Sequence, residues 1–236
     1  MVPAPHGVFK PPAAPAARSA VLVPGEVVGD ARRPAMARLN VTLAVKRLVR
    51  DLAARVPELA HVRASRILVV AGEARRASRA TIRPAHYGDT GVRSGSGARR
   101  KPLIRVKGRK ILYVITLRPL WFLRSTPRER IATIVHELYH ASTSFDGTLH
   151  RGRRHARLPL ARYDRKVQAM VDRYLAVAPA EMTQPFAAHG LVRARMWLER
   201  PAASYLDGEY RGRRVYTEAQ LFQGVVEMVT RKARAR

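Results

Sequence analysis

An α+β domain, with a small mixed or antiparallel sheet packed on helices, is what the order of hydrophobic patterns predicts. Three observations carry that expectation. Helical spacing opens the ordered part of the chain, with Leu39, Leu43, Leu48, Leu52 and Val56 separated by charged residues. A block of short, β-branched runs follows between about 66 and 117. Helical spacing then returns from Pro127 onward.

Residues 1–35 read as a disordered Pro/Ala-rich leader, with Pro3, Pro5, Pro11, Pro12 and Pro15 and no sustained period. The first helix is expected between about Pro34 and Val56, and Pro57 ends it. The run 66–72 (RILVVAG) is apolar and β-branched enough for a buried strand. Residues 79–87 suit a weaker strand, which Pro84 pushes toward a sheet edge. After a Gly/Ser loop, 102–106 and 110–117 read as a hairpin turning at Lys107-Gly108-Arg109. A helix fits 161–177, with Val167, Met170, Val171, Tyr174 and Leu175 on one face. Another is expected from Thr217, where Thr217 and Gln220 have capping-box spacing and Leu221, Phe222, Val225, Val226 and Val229 form a stripe. The organisation predicted is a leader over 1–35, a domain over 36–180, and a basic C-terminal extension over 181–236 that ends in this helix.

With no cysteine, the chain can have no disulfide, thiolate metal site or cysteine nucleophile, so any metal must rest on His, Asp, Glu or water. No apolar run reaches the ~18 residues of a membrane span. The first residues lack the basic-then-apolar layout of a secretory signal, which makes a cytoplasmic protein the default expectation. The charge is extreme: 45 basic against 17 acidic side chains, a net +28. Of the basic residues 38 are Arg and 7 Lys, and arginine's planar fork suits phosphate.

The chemistry concentrates in Ser125–His140. Thr126 as N-cap, Pro127 at the first helical position and Glu129 three residues after the cap together predict a helix over about 127–142. At ~100° per residue, His136 and His140 stand about 40° apart on one face. Ile131, Ile134, Val135 and Leu138 gather on the opposite face, and the small Ala132 and Thr133 leave room beside the histidines. Two imidazoles at i and i+4 can bind one Zn2+ without distorting the helix. Glu137, offset by about 100° from His136, is placed to reach a water activated by that ion, which is the position of a general base. Chance would give only about 0.01 such segments in a chain of this composition.

HELYH after the apolar IATIV run resembles the HExxH zincins. Within them the chain is similar to the SprT-like peptidases and, more closely, to the phage-type metallopeptidases. In the latter an FDG-type turn, a basic stretch and a further histidine follow the motif helix; here these are Phe145-Asp146-Gly147, 150–155 (HRGRRH) and then Tyr163-Asp164. The resemblance spans about 60–180. It implies a zincin-like fold, a sheet packed on the active-site helix, and a zinc-dependent hydrolase that cleaves peptide bonds.

A catalytic zinc needs three protein ligands and an open position. For the third, His155 matches the family-like place ahead of Pro159, and His150 is its rival. Asp146 lies six residues after His140, where another zincin group has its ligand, but Thr143 stands where that group has a turning Gly. Asp146 and Asp164 are also candidates to accept from imidazole N–H groups. His6, His61, His86 and His189 have no motif around them. Tyr139, Tyr163 or Arg153 could steady an oxyanion, and strand 110–117 is a candidate neighbour for a peptide bound as an added strand.

Arg-rich segments at 98–110, 151–157 and 211–214 favour contact with DNA or another polyanion. The partners expected are thus a protein or peptide substrate, with a polyanion beside it. The alternative reading is a basic nucleic-acid-binding protein whose histidine helix is a structural or vestigial zinc site.

Overall fold

Why β1 (Ile67–Ala71) is apolar at every position is clear from its two neighbours: it is covered on both faces. The computed structural model describes residues 38–73, 78–85, 102–153, 160–201 and 215–228. The expected leader, the Gly/Ser loop, His6, His86, His155 and the basic run 211–214 lie outside them.

Helix α1 (Val41–Arg55) begins at Asn40, whose side chain accepts from the Leu43 N–H. Its apolar stripe, including Val45, Leu48 and Leu52, enters the main core. Strands β2 (Ala80–Pro84), β3 (Leu103–Val106), β4 (Arg109–Lys110) and β5 (Tyr113–Leu117) follow. After the short helix α2 (Pro119–Phe122) comes the motif helix α3 (Pro127–Tyr139), then α4 (Leu160–Val177) and the single turn α5 (Ala180–Thr183). Strands β6 (Gly190–Trp197), β7 (Val215–Tyr216) and β8 (Leu221–Met228) complete the order.

The described strands form a five-stranded mixed sheet, β2-β5-β1-β6-β8, and a three-stranded one, β4-β3-β7. β1 runs parallel to β5 and β6, while β2 is antiparallel to β5 and β8 to β6. Ile67, Val69 and Ala71 of β1 pack with α1, α3 and α4 in the main core; Leu68 and Val70 join Ile104, Val106, Ile111 and Tyr216 in a second cluster. The larger sheet thus lies between a helical layer and the small sheet.

The structure corrects three expectations. The hairpin turn forms, with Lys107 and Gly108 at φ 50° and 70° as a two-residue primed turn requires. However, the chain leaves β3 after the Ile111 N–H bonds to the Ile104 carbonyl, and the Leu112 N–H bonds instead to the Arg66 carbonyl. The residues read as one second hairpin strand are therefore two, and β5 sits inside the other sheet. This also withdraws 110–117 as the strand open to a peptide: β5 has a neighbour on each side, and among the described strands the outer ones are β2 and β8. Finally, among the described residues no α-helix follows Thr217. The capping box forms but starts only one 3-10 turn, Glu218–Gln220, and then β8 pairs with β6 over eight residues. Long-range pairing of a Val-rich segment outweighs the local cap.

Candidate metal centre

Helix α3 is started by the capping box the sequence predicts. Thr126 accepts from the Glu129 N–H, and the Glu129 carboxylate accepts from the Thr126 N–H at 2.8 Å. Ile131, Ile134, Val135 and Leu138 are buried in the core, so the helix cannot rotate and the histidine face is fixed toward α4 and the loop after the helix. A buried cation adds to this. Arg130, 0% exposed, donates to the carbonyls of Phe122, Leu123 and Phe186, which ties the preceding turn and the segment after α5 to the helix.

His136 and His140 are half-buried, and their Nε2 atoms approach to 3.3 Å. Two ligands at about 2.0–2.1 Å from a tetrahedral zinc are separated by roughly 3.3–3.4 Å, so the pair fits one ion. The other nitrogen of His140 is engaged: Nδ1 lies 2.8 Å from the Arg153 carbonyl, which fixes the tautomer that leaves Nε2 for a metal. Neither Asp146 nor Asp164 takes that part. Asp146 instead accepts from the Thr148 N–H and hydroxyl and from the Ser144 hydroxyl, and Asp164 is exposed.

The loop returns to the helix because it is built as a closed turn. Phe145, at φ 50°, and Gly147, at φ 94°, reverse the chain. Tyr113 donates to the Thr148 carbonyl and accepts from the Gly147 N–H, while its ring lies 4.9 Å from that of Phe145. The His150 N–H then bonds to the His140 carbonyl at 2.9 Å. Arg153 closes the circuit: its guanidinium sits 4.0 Å over the Tyr139 ring and donates to the Tyr139 carbonyl. The FDG turn is therefore a device that delivers Arg153 to the end of α3.

Glu137 is 7% exposed, and its Oε2 accepts from the Ile82 N–H of edge strand β2 at 2.7 Å. Burial pushes the carboxyl up to about 7, against that one hydrogen bond, and a group poised there can both take and return a proton near neutrality. Tyr163, fully buried on α4, donates to the His136 carbonyl; its hydroxyl is 3.2 Å from His140 Nε2 and its ring stacks on the His140 ring. Burial, and then the Glu137 charge, raise its hydroxyl well above the usual phenol range, so it stays a donor.

Among the described residues no third His, Asp or Glu joins the pair. The two rivals are thus held apart from it: Asp146 by its own turn, and His150, whose Nδ1 accepts from the Gly152 N–H at 3.1 Å. His155 lies outside the described residues. The Ile82 N–H and the Arg153 carbonyl had no signal in the sequence, because backbone groups at a distance in the chain leave none.

The histidine pair, the buried carboxylate and the turn that follows are the parts a metal-dependent hydrolase needs on one helix. No curated protein and no solved structure matches the chain. The family model described as "Putative phage metallopeptidase" matches residues 38–188, which run from the start of α1 past the end of α5. That span covers well over half of the chain and contains every residue of the centre, so the chain belongs to the phage metallopeptidase family.

Proposed function

We propose that this protein is a zinc-dependent peptidase of the HExxH zincin type, in which His136, His140 and His155 hold the ion and Glu137 is the general base. The observation that carries the reading is the 3.3 Å approach of two imidazole Nε2 atoms beside a buried glutamate. Bound there, zinc would supply Lewis acidity, making a water acidic and polarising a substrate carbonyl.

The chain's own groups do the rest. Glu137 takes a proton from the attacking water and passes it to the leaving amine. The Ile82 N–H fixes the carboxylate that does so, and the Arg153 carbonyl orients His140. Of the three oxyanion candidates Tyr163 is favoured, because its hydroxyl is the one beside the metal-facing nitrogen of His140; to serve, it exchanges its bond to the His136 carbonyl for one to the oxyanion. Arg153 and Tyr139 are engaged with each other. A peptide would add to β2, an outer strand among those described, whose Ile82 N–H already points away from β5 to Glu137.

Glu137→Gln tests the base. The variant should keep its zinc and its fold and lose at least about 10²-fold in peptide hydrolysis, within the range of general-base contributions. If hydrolysis survives, the assignment of Glu137 is wrong. If metal is lost with it, the residue is a ligand instead.

A further inference from the structure

Five acidic side chains of the described residues pair with arginines. Asp51 pairs with Arg55, Glu129 with Arg79, Glu73 with Arg118, Asp172 with Arg128 and Glu58 with Arg173. A second group of cations has no such partner among the described residues: Lys46 and Arg50 on α1, Lys107 and Arg109 at the β3–β4 turn, and Arg195 on β6. Three contacts assemble them. The Arg195 N–H donates to the Thr42 hydroxyl of α1 at 3.0 Å, and the Arg193 N–H to the Leu39 carbonyl just before it. Next to α1, Arg66 reaches across to the Lys110 carbonyl and holds the hairpin tip there. Arg50, Lys107 and Arg109 are exposed; Lys46 and Arg195 are half-buried.

This crowding has a cost that shows at Lys46, whose ammonium is held below the usual lysine range, first by burial and then by Arg195, Arg50, Arg109 and Lys107. One acid lies among them, Glu218, whose carboxylate accepts from the Lys107 backbone N–H and is held below its usual range by that bond and, more weakly, by Arg195 and Lys107. Five cations with a single carboxylate among them are a preformed anion site, since a polyanion relieves the remaining repulsion as it binds.

We propose that Lys46, Arg50, Lys107, Arg109 and Arg195 form a docking surface for the phosphate backbone of a nucleic acid, on elements that carry no residue of the metal centre. Two features favour nucleic acid over an acidic protein. Charges spread over a helix, a hairpin tip and a strand suit a repeating line of phosphates. They are mostly arginine, whose fork matches phosphate oxygens. None of the five is interleaved with an exposed aromatic of its own elements, so binding should show no base preference.

Fluorescence anisotropy of the full chain with a labelled duplex of about 20 base pairs, at salt from about 50 to 200 mM, tests this. Arg50→Glu with Arg109→Glu should weaken binding at least about tenfold and flatten the slope of log K against log salt by about 1.8, two phosphate contacts' worth. Arg165→Glu with Lys166→Glu, the same charge change on the exposed side of α4, should stay within about threefold of wild type. Equal losses in the two variants would reduce the effect to net charge and overturn the proposal, as would no loss in the first. Polyglutamate displacing the duplex as well as unlabelled duplex does, at matched charge, would assign the surface to acidic proteins instead. Should the reversal pair lose its circular dichroism, Arg50→Gln with Arg109→Gln gives the same comparison at smaller amplitude.

Discussion

Ile82 and Arg153 act on the centre through their backbones, one donating to Glu137 and the other accepting from His140. Only the position of Arg153 can be disturbed by substitution, because its side chain anchors the segment on Tyr139. Arg153→Ala should lower zinc affinity about 10–100-fold, as loss of an outer-shell partner does, with the melting temperature in the presence of excess zinc nearly unchanged. Isothermal titration against a chelator reads this; unchanged affinity would mean that the carbonyl stays in place without the side chain. Tyr163→Phe should keep zinc and lower kcat by about 10²-fold with little change in KM, which steady-state kinetics on a peptide separates. At this scale the sequence was most informative where one helical turn sets the geometry. His136, Glu137 and His140 need no tertiary contact to share a site, whereas the partners that hold them come from residues tens of positions away. At His140 a backbone carbonyl stands where a carboxylate was expected, and Asp146 is engaged in its own turn, because a short Asp side chain beside Ser and Thr satisfies itself locally.

Among elements, α3 is the one on which the site depends, and its start is testable. Thr126→Ala removes the side-chain acceptor of the cap and should cost about 1 kcal/mol in urea unfolding. The cap also makes stability pH-dependent. Burial alone would raise the Glu129 carboxyl, but the Thr126 N–H and Arg79 outweigh it and hold it below the usual range. A depressed folded value means the contribution is complete above the unfolded value of about 4.3 and is lost as pH falls below it. Glu129→Gln should therefore flatten the acid limb of the stability profile by lowering stability near neutrality while leaving it nearly unchanged once the wild-type carboxyl is protonated. Helices α1, α3 and α4 were legible because each buries one stripe against a single layer. The strands were less so. β1 and β2 were found, but the break between β4 and β5 and the strand identity of β8 depend on which sheet each segment joins, and no local pattern encodes that choice.

For the whole molecule, the matched span ends at 188, yet β6 lies beside β1 and against α1, and Val192, Ala194 and Met228 are buried in the main core. A chain ending at 188 should therefore melt several degrees lower than the full chain, or fail to fold, by scanning calorimetry; an unchanged melting temperature would show that β6 and β8 are dispensable. The mixture of helices with a small mixed sheet and the motif helix could be read from the sequence, since periodicity and capping are local. Of the proposed basic surface only the hairpin segment, with Lys107 and Arg109, stood out in the sequence, because Lys46, Arg50 and Arg195 come from two separate segments. The central proposal is zinc held by His136, His140 and His155, and metal content read by mass spectrometry tests it most directly. Wild-type protein should carry one zinc per chain, and His136→Ala, His140→Ala and His155→Ala should each lose it while keeping wild-type circular dichroism. Wild type without zinc after purification in its presence, or His136→Ala and His140→Ala variants that retain it, would contradict the metal centre itself.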